Sequence, residues 1–198
     1  FMGDAHVVDT DPLRGWVLSL DGQGDFVDCA RDARFNLTES ISLCAWIKPG
    51  VFNKQYQALI SNGDRGWNLN RHANANSMQI ARYGIDSSST AGSGGLKWRN
   101  LPTKTEIADG RWHHLVGVYD GVHLRLYVDG KLDTQCQATG RIKPNDWPVF
   151  IGANSEESNR EWNGLIDDVR IYSYALSESE VKRVFDGENV KVAEVSSQ

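Results

Sequence analysis

Two Asp-Gly pairs bracket one short alternating run, and this arrangement constrains the fold more than any other local pattern. Asp120-Gly121 precedes His123–Val128, and Asp129-Gly130 follows it. Asp-Gly between alternating runs is the strongest short-range signal for the turn of a β-hairpin. The run Trp112–Tyr119, the middle run and the segment from Lys131 are therefore predicted to form an antiparallel meander.

The rest of the chain has the same organisation. Short apolar or alternating runs are separated by Gly, Asn, Asp and Pro, which is typical of an antiparallel all-β sandwich. The further predicted strands are Val17–Leu20, Phe26–Cys29, Ser40–Lys48, Gln57–Asn62, Trp67–Asn70, Met78–Tyr83, Val149–Gly152 and Ile166–Tyr172. One helix is predicted, because Ser177 and Glu180 form a capping box and apolar residues at helical spacing follow, up to Gly187.

The composition indicates one domain with a hydrophobic core. The chain has 198 residues, of which 40% are hydrophobic. We expect a tail or linker over residues 1–12, one domain over 13–187 and a C-terminal tail over 188–198. The net charge of -5 is spread along the chain and the 21 Lys and Arg residues form no basic stripe, which argues against a nucleic-acid partner.

The length of the apolar runs gives a further expectation. No apolar run approaches the roughly 20 residues that span a bilayer, so no membrane insertion is expected. We expect a domain taken from a larger chain, located outside the cytoplasm as a secreted, periplasmic or cell-surface protein.

The strand Ser40–Lys48 shows how the faces are assigned. Strand alternation predicts that Ile41, Leu43, Ala45 and Ile47 face the core, whereas Trp46 faces away from it. The three cysteines, Cys29, Cys44 and Cys136, lack the close paired spacing of a zinc site. One disulfide bond and reduced core thiols both remain open for them.

Five motifs stand in order between about Leu18 and Phe185. They are Leu20-Asp21-Gly22-x-x-Asp25-Phe26-Val27, Ile41-x-Leu43-x-Ala45-Trp46-Ile47-x-Pro49, Arg111 to Gly121, Leu126-Tyr127-Val128-Asp129-Gly130 and Gly164 to Tyr172. Together they resemble the laminin G-like jelly rolls of the concanavalin A-like lectin/glucanase group. The resemblance implies an all-β, two-sheet antiparallel jelly-roll sandwich, with one concave and one convex sheet, to which the predicted short C-terminal helix is added.

Asp167 and Asp168 are two adjacent carboxylates in an otherwise apolar strand, where alternation would point them to opposite faces. The resemblance implies a structural calcium ion where the first and last strands meet. Calcium prefers oxygen ligands, and the Gly-rich turn Asp21 to Asp25 supplies two carboxylates. The candidate metal residues are Asp21, Gly22, Asp25, Asp167 and Asp168. The alternative is that Asp21 and Asp25 only shape a turn and that Arg170 pairs with a neighbouring Asp.

The chain has seven tryptophans and six tyrosines, which is a large aromatic content for a sandwich of this size. Sugar-binding surfaces combine flat apolar platforms with polar groups that fix hydroxyls. The resemblance places ligands on the concave sheet or in its edge loops. The candidate ligand-binding residues are Trp46, Trp67, Asn68, Asn70, Arg71, His72, Arg82, Tyr83, Asn154, Arg160 and Trp162. Arginine among them would suit an anionic glycan, since its fork binds carboxylate and sulfate bidentately.

The sequence offers little for catalysis. Retaining glycoside hydrolases need two carboxylates about 5 Å apart, and the Glu-x-Asp-x-x-Glu pattern that hydrolases of this fold group carry does not occur. His113-His114 is interpreted as structural. We therefore predict a non-catalytic carbohydrate-binding module or lectin-like domain with a structural Ca²⁺. The alternative is an adhesion or spacer domain without glycan binding, and a polysaccharide lyase or hydrolase ranks third.

Overall fold

Two antiparallel sheets make up most of the described chain, which comprises residues 1–85 and 97–190 of a computed structural model. The strands are β1 (His6–Asp11), β2 (Gly15–Asp21), β3 (Val27–Asp28), β4 (Ile41–Pro49), β5 (Ala58–Ser61), β6 (Trp67–Arg71), β7 (Met78–Ile85), β8 (Lys97–Pro102), β9 (His113–Tyr119), β10 (His123–Val128), β11 (Lys131–Gln137), β12 (Phe150–Ile151) and β13 (Asn163–Tyr172). A 3-10 turn covers Ala33–Phe35, and the helix α1 covers Glu178–Phe185.

The strand order confirms the predicted two-sheet sandwich. One sheet has seven strands in the order β1-β2-β13-β4-β9-β10-β11, and the other has six in the order β3-β12-β5-β6-β7-β8. The predicted meander is confirmed as β9, β10 and β11, which pair antiparallel around Asp120-Gly121 and Asp129-Gly130. No helix in the described part of the chain is long and apolar enough to cross a membrane.

The main core lies between the two sheets. Ile41, Leu43, Ala45 and Ile47 of β4 are fully buried in it, as the alternation predicts. Removal of such aliphatic side chains from water is the dominant favourable contribution to folding, about 1.5–3 kcal/mol for each fully buried large side chain.

A second core lies on the outer side of the seven-stranded sheet. The helix α1 places Val181 and Val184 against Cys44, Val116 and Val118 there. The capping box that predicted the helix is present, because the Ser177 hydroxyl accepts from the Glu180 N–H and the Glu180 carboxylate accepts from the Ser177 N–H. We call this surface the covered face, since the helix shields it.

Two strands were not predicted from the sequence. The prediction of a tail over residues 1–12 is wrong for β1, which pairs with β2 from His6 to Asp11. β8 pairs with β7 at the edge of the six-stranded sheet. Both are edge strands, and β1 has few apolar residues, so its hydrophobic alternation is weak. Cys29, Cys44 and Cys136 are all free, and burial raises the pKa of Cys44.

A candidate ligand-binding cleft

A cleft of about 360 Å³ lies on the outer side of the six-stranded sheet, which we call the open face. Its volume is at the lower end of the ~300–1,000 Å³ usual for small-ligand sites. It is lined by Tyr56, Asp64, Asn68, Asn70, Gln79, Ala81, Asn100 and Arg160.

Strand register builds the floor of this cleft. In β6, Trp67 and Leu69 point into the core, so Asn68 and Asn70 point outward. Asn70 lies opposite Gln79 of β7, and Asn68 lies opposite Ala81. The small side chain of Ala81 leaves room above the sheet between longer polar neighbours.

The floor presents hydrogen-bond acceptors that have no protein partner. Asn68 Oδ1, Asn70 Oδ1 and Gln79 Oε1 are buried and accept no hydrogen bond in the described part of the chain. Ser61 lies opposite Asn68 on β5, and its buried Oγ also has no hydrogen-bond partner in the described part of the chain. A buried polar atom without a partner costs about 1–3 kcal/mol. These atoms are therefore strongly disposed to accept hydrogen bonds from hydroxyl groups.

The rim of the cleft combines an aromatic ring with a neutralised cation. The Arg160 guanidinium lies 5.2 Å from the centre of the Tyr56 ring and pairs with the Asp64 carboxylate. Asp64 also accepts from the Asn154 amide at 2.7 Å. Tyr56 has a left-handed backbone with φ of 53°, a conformation that costs energy for a bulky residue and clusters at functional sites. Since Arg160 and Asp64 cancel, the rim carries little net charge.

Four of the predicted ligand residues are structural instead. Trp67 and Trp162 are completely buried in the main core. Arg82 points into the same core, where its guanidinium lies 3.3 Å from the centre of the Tyr119 ring and burial lowers its pKa to about 10. The Arg71 guanidinium donates to three loop carbonyls, those of Lys54, Asn74 and Ala75. The predicted roles of these four side chains in binding are wrong, because none of them presents a free surface.

Trp46 lies on the covered face and not near the cleft. Its ring stacks with Phe185 of the helix at 5.4 Å and lies tilted against the His114 ring at 5.1 Å, and the Arg14 guanidinium covers it at 4.2 Å. The predicted role of Trp46 in ligand binding is therefore also wrong. Both ring nitrogens of His114 are buried without a hydrogen-bond partner in the described chain, and burial lowers the pKa of His114 to about 4.

The remaining predicted residues divide into two groups. Asn68, Asn70 and Arg160 line the cleft, and Asn154 supports it through Asp64. His72 and Tyr83 are half-buried and do not line it.

Five further residues line the cleft: Tyr56, Asp64, Gln79, Ala81 and Asn100. Tyr56, Asp64 and Asn100 were not among the residues that the sequence predicted. Alternation against the buried residues Met78 and Ile80 was the available signal for Gln79 and Ala81. No periodic signal exists for Tyr56 and Asp64, which belong to loops.

The predicted calcium site is only partly assembled. Asp21 and Asp25 lie together, and Asp4 joins them, with one oxygen of each carboxylate within 4.8 Å of the others. Asp25 is buried and accepts from the N–H groups of Asp4 at 2.8 Å and Asp21 at 3.1 Å. Burial raises the pKa of Asp25, but these hydrogen bonds outweigh it, so the pKa is lowered. Hydrogen bonding to Asp25, together with its charge, raises the pKa of Asp4.

Asp167 and Asp168 do not reach this cluster. Asp167 pairs with Arg14 at 2.5 Å, and the two carboxylate oxygens of Asp168 accept from Arg170 Nε and Nη2 at 2.7 and 2.8 Å. A bulge in β13, with φ of 47° at Asp168, interrupts the alternation, so the expectation of opposite faces fails. The prediction of Asp167 and Asp168 as metal ligands is wrong. Gly22 is also unsuitable, because its carbonyl accepts from the Lys54 ammonium at 2.6 Å.

The fold and the site can now be compared with known proteins. The family described as Laminin_G_3, of the concanavalin A-like lectin/glucanases superfamily, matches residues 21–182. The chain belongs to this family, which confirms the resemblance in the sequence motifs. No curated protein sequence matches the chain.

Several solved structures have the same fold. The binding domain of Paraclostridial Mosquitocidal Protein 1 has a TM-score of 0.70 at 16% identity, over 94% of this chain and 46% of that one. The receptor-binding domain of a botulinum neurotoxin C/D mosaic serotype gives 0.67 at 18%, over 94% and 45%. Domain 4 of AbnA, an extracellular arabinanase from Geobacillus stearothermophilus in complex with arabinotriose, gives 0.65 at 19%, over 92% and 81%. The chain thus spans less than half of the two toxin domains. These neighbours are binding domains within larger proteins.

Proposed function

We propose that this chain is a non-catalytic carbohydrate-binding domain whose ligand lies in the cleft of the open face. The observation that carries the proposal is the set of buried, unpartnered acceptors on the cleft floor, Asn68 Oδ1, Asn70 Oδ1 and Gln79 Oε1. Saccharide hydroxyls can donate hydrogen bonds to such acceptors, and the Tyr56 ring at the rim offers an apolar face to the CH groups of a sugar.

The charge of the cleft favours a neutral saccharide. Two arginines that the sequence suggested for anion binding, Arg71 and Arg82, are buried, and Arg160 is paired with Asp64. An anionic sugar at this rim would have to compete with the Asp64 carboxylate for Arg160. The arabinanase domain, which is solved with arabinotriose, makes this neutral trisaccharide the first ligand to test. Its extracellular location also supports a secreted or surface-exposed role for the present chain.

The chemistry of the cleft supports a non-catalytic role. Asp64 is the carboxylate among its lining residues, and it is held in an ion pair with Arg160. Glycoside hydrolysis needs a second carboxylate across the scissile bond, and the polar residues of the floor are amides. The cleft is therefore suited to holding a glycan without cleaving it.

The direct test is calorimetric titration with arabinotriose and with the best ligands from an array of neutral oligosaccharides. Ala81→Leu should fill the cleft and reduce the affinity at least about tenfold, and Tyr56→Ala should weaken it by a similar factor through loss of the platform. Trp147→Ala, at a site away from this cleft, is the matched control and should bind normally. If no neutral glycan binds, or if Ala81→Leu binds as well as the parent, the proposal fails and the adhesion or spacer alternative is favoured.

We also propose that Asp4, Asp21 and Asp25 hold the structural Ca²⁺. Calcium takes oxygen ligands, and three carboxylates that converge within 4.8 Å repel one another unless a cation or protons compensate them. The N-terminal segment carries Asp4, and the β2 end carries Asp21, so the ion would fasten this segment to the sandwich.

Thermal unfolding with and without a chelator tests the calcium proposal. At a 100-fold excess over Kd, calcium adds about 2.7 kcal/mol, which moves Tm by several degrees. Asp21→Asn should abolish this shift, whereas Asp167→Asn should retain it, since Asp167 pairs with Arg14 instead. An equal Tm of the parent with calcium and with chelator would contradict the site.

A further inference from the structure

A second cleft of about 390 Å³ lies beside the first, across the loop that contains Asp64 and Arg65. It is lined by Arg31, Arg65, Lys143, Pro144, Asn145, Asp146 and Trp147. Asp64 belongs to the first cleft and Arg65 to the second, so the two clefts have separate linings on either side of one loop. The proposed function of the first cleft does not explain the second.

Hydrogen bonds with two asparagine side chains hold the backbone of Trp147 in place. Its N–H donates to the Asn145 side chain at 2.8 Å, and its carbonyl accepts from the Asn62 side chain at 2.7 Å. Asn145 in turn donates to the Asn62 carbonyl at 3.0 Å. Trp147 nevertheless remains 39% exposed. A fixed and exposed Trp ring is a preformed apolar platform, which loses little conformational entropy when a ligand stacks on it.

Gly63 allows this ring to lie flat on the loop. A Cβ atom at Gly63 would come within 2.8 Å of the Trp147 ring, and the residue has φ of +67°. Both the space and the backbone conformation therefore require glycine here. The position of the platform depends on close approach between this backbone and the indole.

The backbone segments that carry the cations of the second cleft are also hydrogen-bonded to the rest of the fold. The Ala30 carbonyl, next to Arg31, accepts from the Val149 N–H at 3.2 Å, and the Lys143 N–H donates to the Tyr83 carbonyl at 3.0 Å. These bonds place the two backbone segments at the cleft that Arg31, Lys143 and Trp147 line.

The charges are not balanced as they are in the first cleft. Within the described ranges, Arg31 and Lys143 form no ion pair with a carboxylate. Arg65 is offset by Glu156, at 3.4 Å. Of the lining residues, only Asp146 is acidic. The Lys143 ammonium lies 5.7 Å from the centre of the Tyr83 ring, a contact that leaves its charge uncompensated. Two cations without a carboxylate partner in the described chain, beside one aromatic platform, therefore distinguish this cleft from the neutral one.

We infer that the Trp147 cleft is a second saccharide site, selective for a sugar ring that carries a carboxylate or a sulfate group. The CH-rich face of the ring stacks on Trp147, while Arg31 and Lys143 bind the anionic group. Arginine can bind both oxygens of such a group through its planar fork, and lysine acts as a point charge. Two clefts with separate linings would let the domain bind a neutral and an anionic sugar separately.

The test follows the indole N–H signals of ¹⁵N-labelled protein during titration with D-glucuronate, D-glucose 6-sulfate, D-glucose and inorganic sulfate. The Trp147 signal is assigned by comparison with Trp147→Ala. We expect the two anionic sugars to shift it, with at least about fivefold weaker apparent affinity after Arg31→Gln/Lys143→Gln and at raised salt. D-Glucose and inorganic sulfate should give much smaller shifts.

Two variants separate this proposal from the function of the first cleft. Ala81→Leu should leave the Trp147 response unchanged, whereas Gly63→Ala should displace the ring and reduce the response. Equal shifts with D-glucose and D-glucuronate, or no shift at all, would overturn the inference even if arabinotriose binds the first cleft. A shift produced equally by inorganic sulfate would overturn the stacking role of Trp147.

Discussion

The two outer faces of the sandwich use their aromatic and polar residues in opposite ways. On the covered face, the Trp46 ring packs against His114 and Phe185, and Val181 and Val184 of the helix α1 cover a second core. On the open face, the floor of the cleft includes Asn68, Asn70 and Gln79, whose side-chain oxygens have no hydrogen-bond partner among the described residues. The contrast teaches that a sheet face covered by the helix uses its aromatic residues for packing, so the seven tryptophans of the sequence do not all indicate contact with a ligand.

A carboxylate introduced on each outer face should give the largest difference in stability between the two faces. Val184→Asp puts a carboxylate in the fully buried layer beneath the helix, so we expect a loss of more than about 4 kcal/mol and an unfolded or helix-detached protein. Asn100→Asp, at an exposed position of the cleft wall, should lower the free energy of unfolding by less than about 1 kcal/mol. Chemical denaturation measures both. Comparable losses would show that the two faces do not differ as described.

The core tryptophan Trp67 should give the next largest effect on stability. Trp67→Ala should lower the free energy of unfolding by about 3–5 kcal/mol, since it leaves a large cavity between the sheets. Trp67→Phe keeps most of the packing and should bind the glycan with parental affinity. Calorimetric titration of Trp67→Phe tests this. A large loss of affinity without a loss of stability would show that Trp67 contacts the ligand.

His114 makes the covered face sensitive to acid. Burial lowers the pKa of His114 to about 4 from 6.5. Between these pH values, the unfolded chain therefore binds one proton more than the folded chain. The stability associated with a neutral His114 is fully present above about pH 6.5 and is lost as the pH falls towards 4. The full shift corresponds to about 3 kcal/mol. Asp129 and Asp168 oppose the effect of burial, and Arg14 and Arg170 add to it.

The variant His114→Phe tests the acid sensitivity. A neutral ring between Trp46 and Phe185 should remove most of the pH dependence in the unfolding free energy between pH 6.5 and 4. Urea denaturation at several pH values measures it. The same slope in the parent and the variant would mean that another group is responsible.

The smallest effects are expected on the open face. Asn70→Ala removes one acceptor of the cleft floor, so the affinity for the neutral glycan should fall about fivefold, as for one hydrogen bond. Stability should change by less than about 1 kcal/mol, because the Asn70 oxygen has no protein partner to lose. Asn154→Ala, which removes the support of Asp64, should reduce the affinity less. A large loss of stability in Asn70→Ala would indicate a structural role for the floor.

Much of the fold was predictable because its signals are local. The Asp-Gly turns, the alternation in β4 and the capping box at Ser177 each depend on neighbours in sequence, and each is confirmed. The edge strand β1 was missed because it buries little, and the pairing that creates it lies in β2.

The candidate site was predicted less well for a related reason. Trp67 and Asn68 were both proposed as ligand residues, although alternation puts them on opposite faces and only one of them can reach the cleft. The sequence does not say which face of β6 meets the other sheet. Asp167 and Asp168 were misassigned because the bulge at Asp168 and the partners Arg14 and Arg170 appear only once the strands are paired.

The sequence by itself determined that this protein is a two-sheet sandwich of the laminin G-like kind with a capped C-terminal helix. These features follow from periodicity, turn chemistry and ordered motifs, which act over a few residues. The tertiary structure decided which side chains come together at each cleft. A cleft is made by strands, loops and charges that are distant in sequence, and only the folded chain shows which cations are neutralised and which buried acceptors are left without a partner.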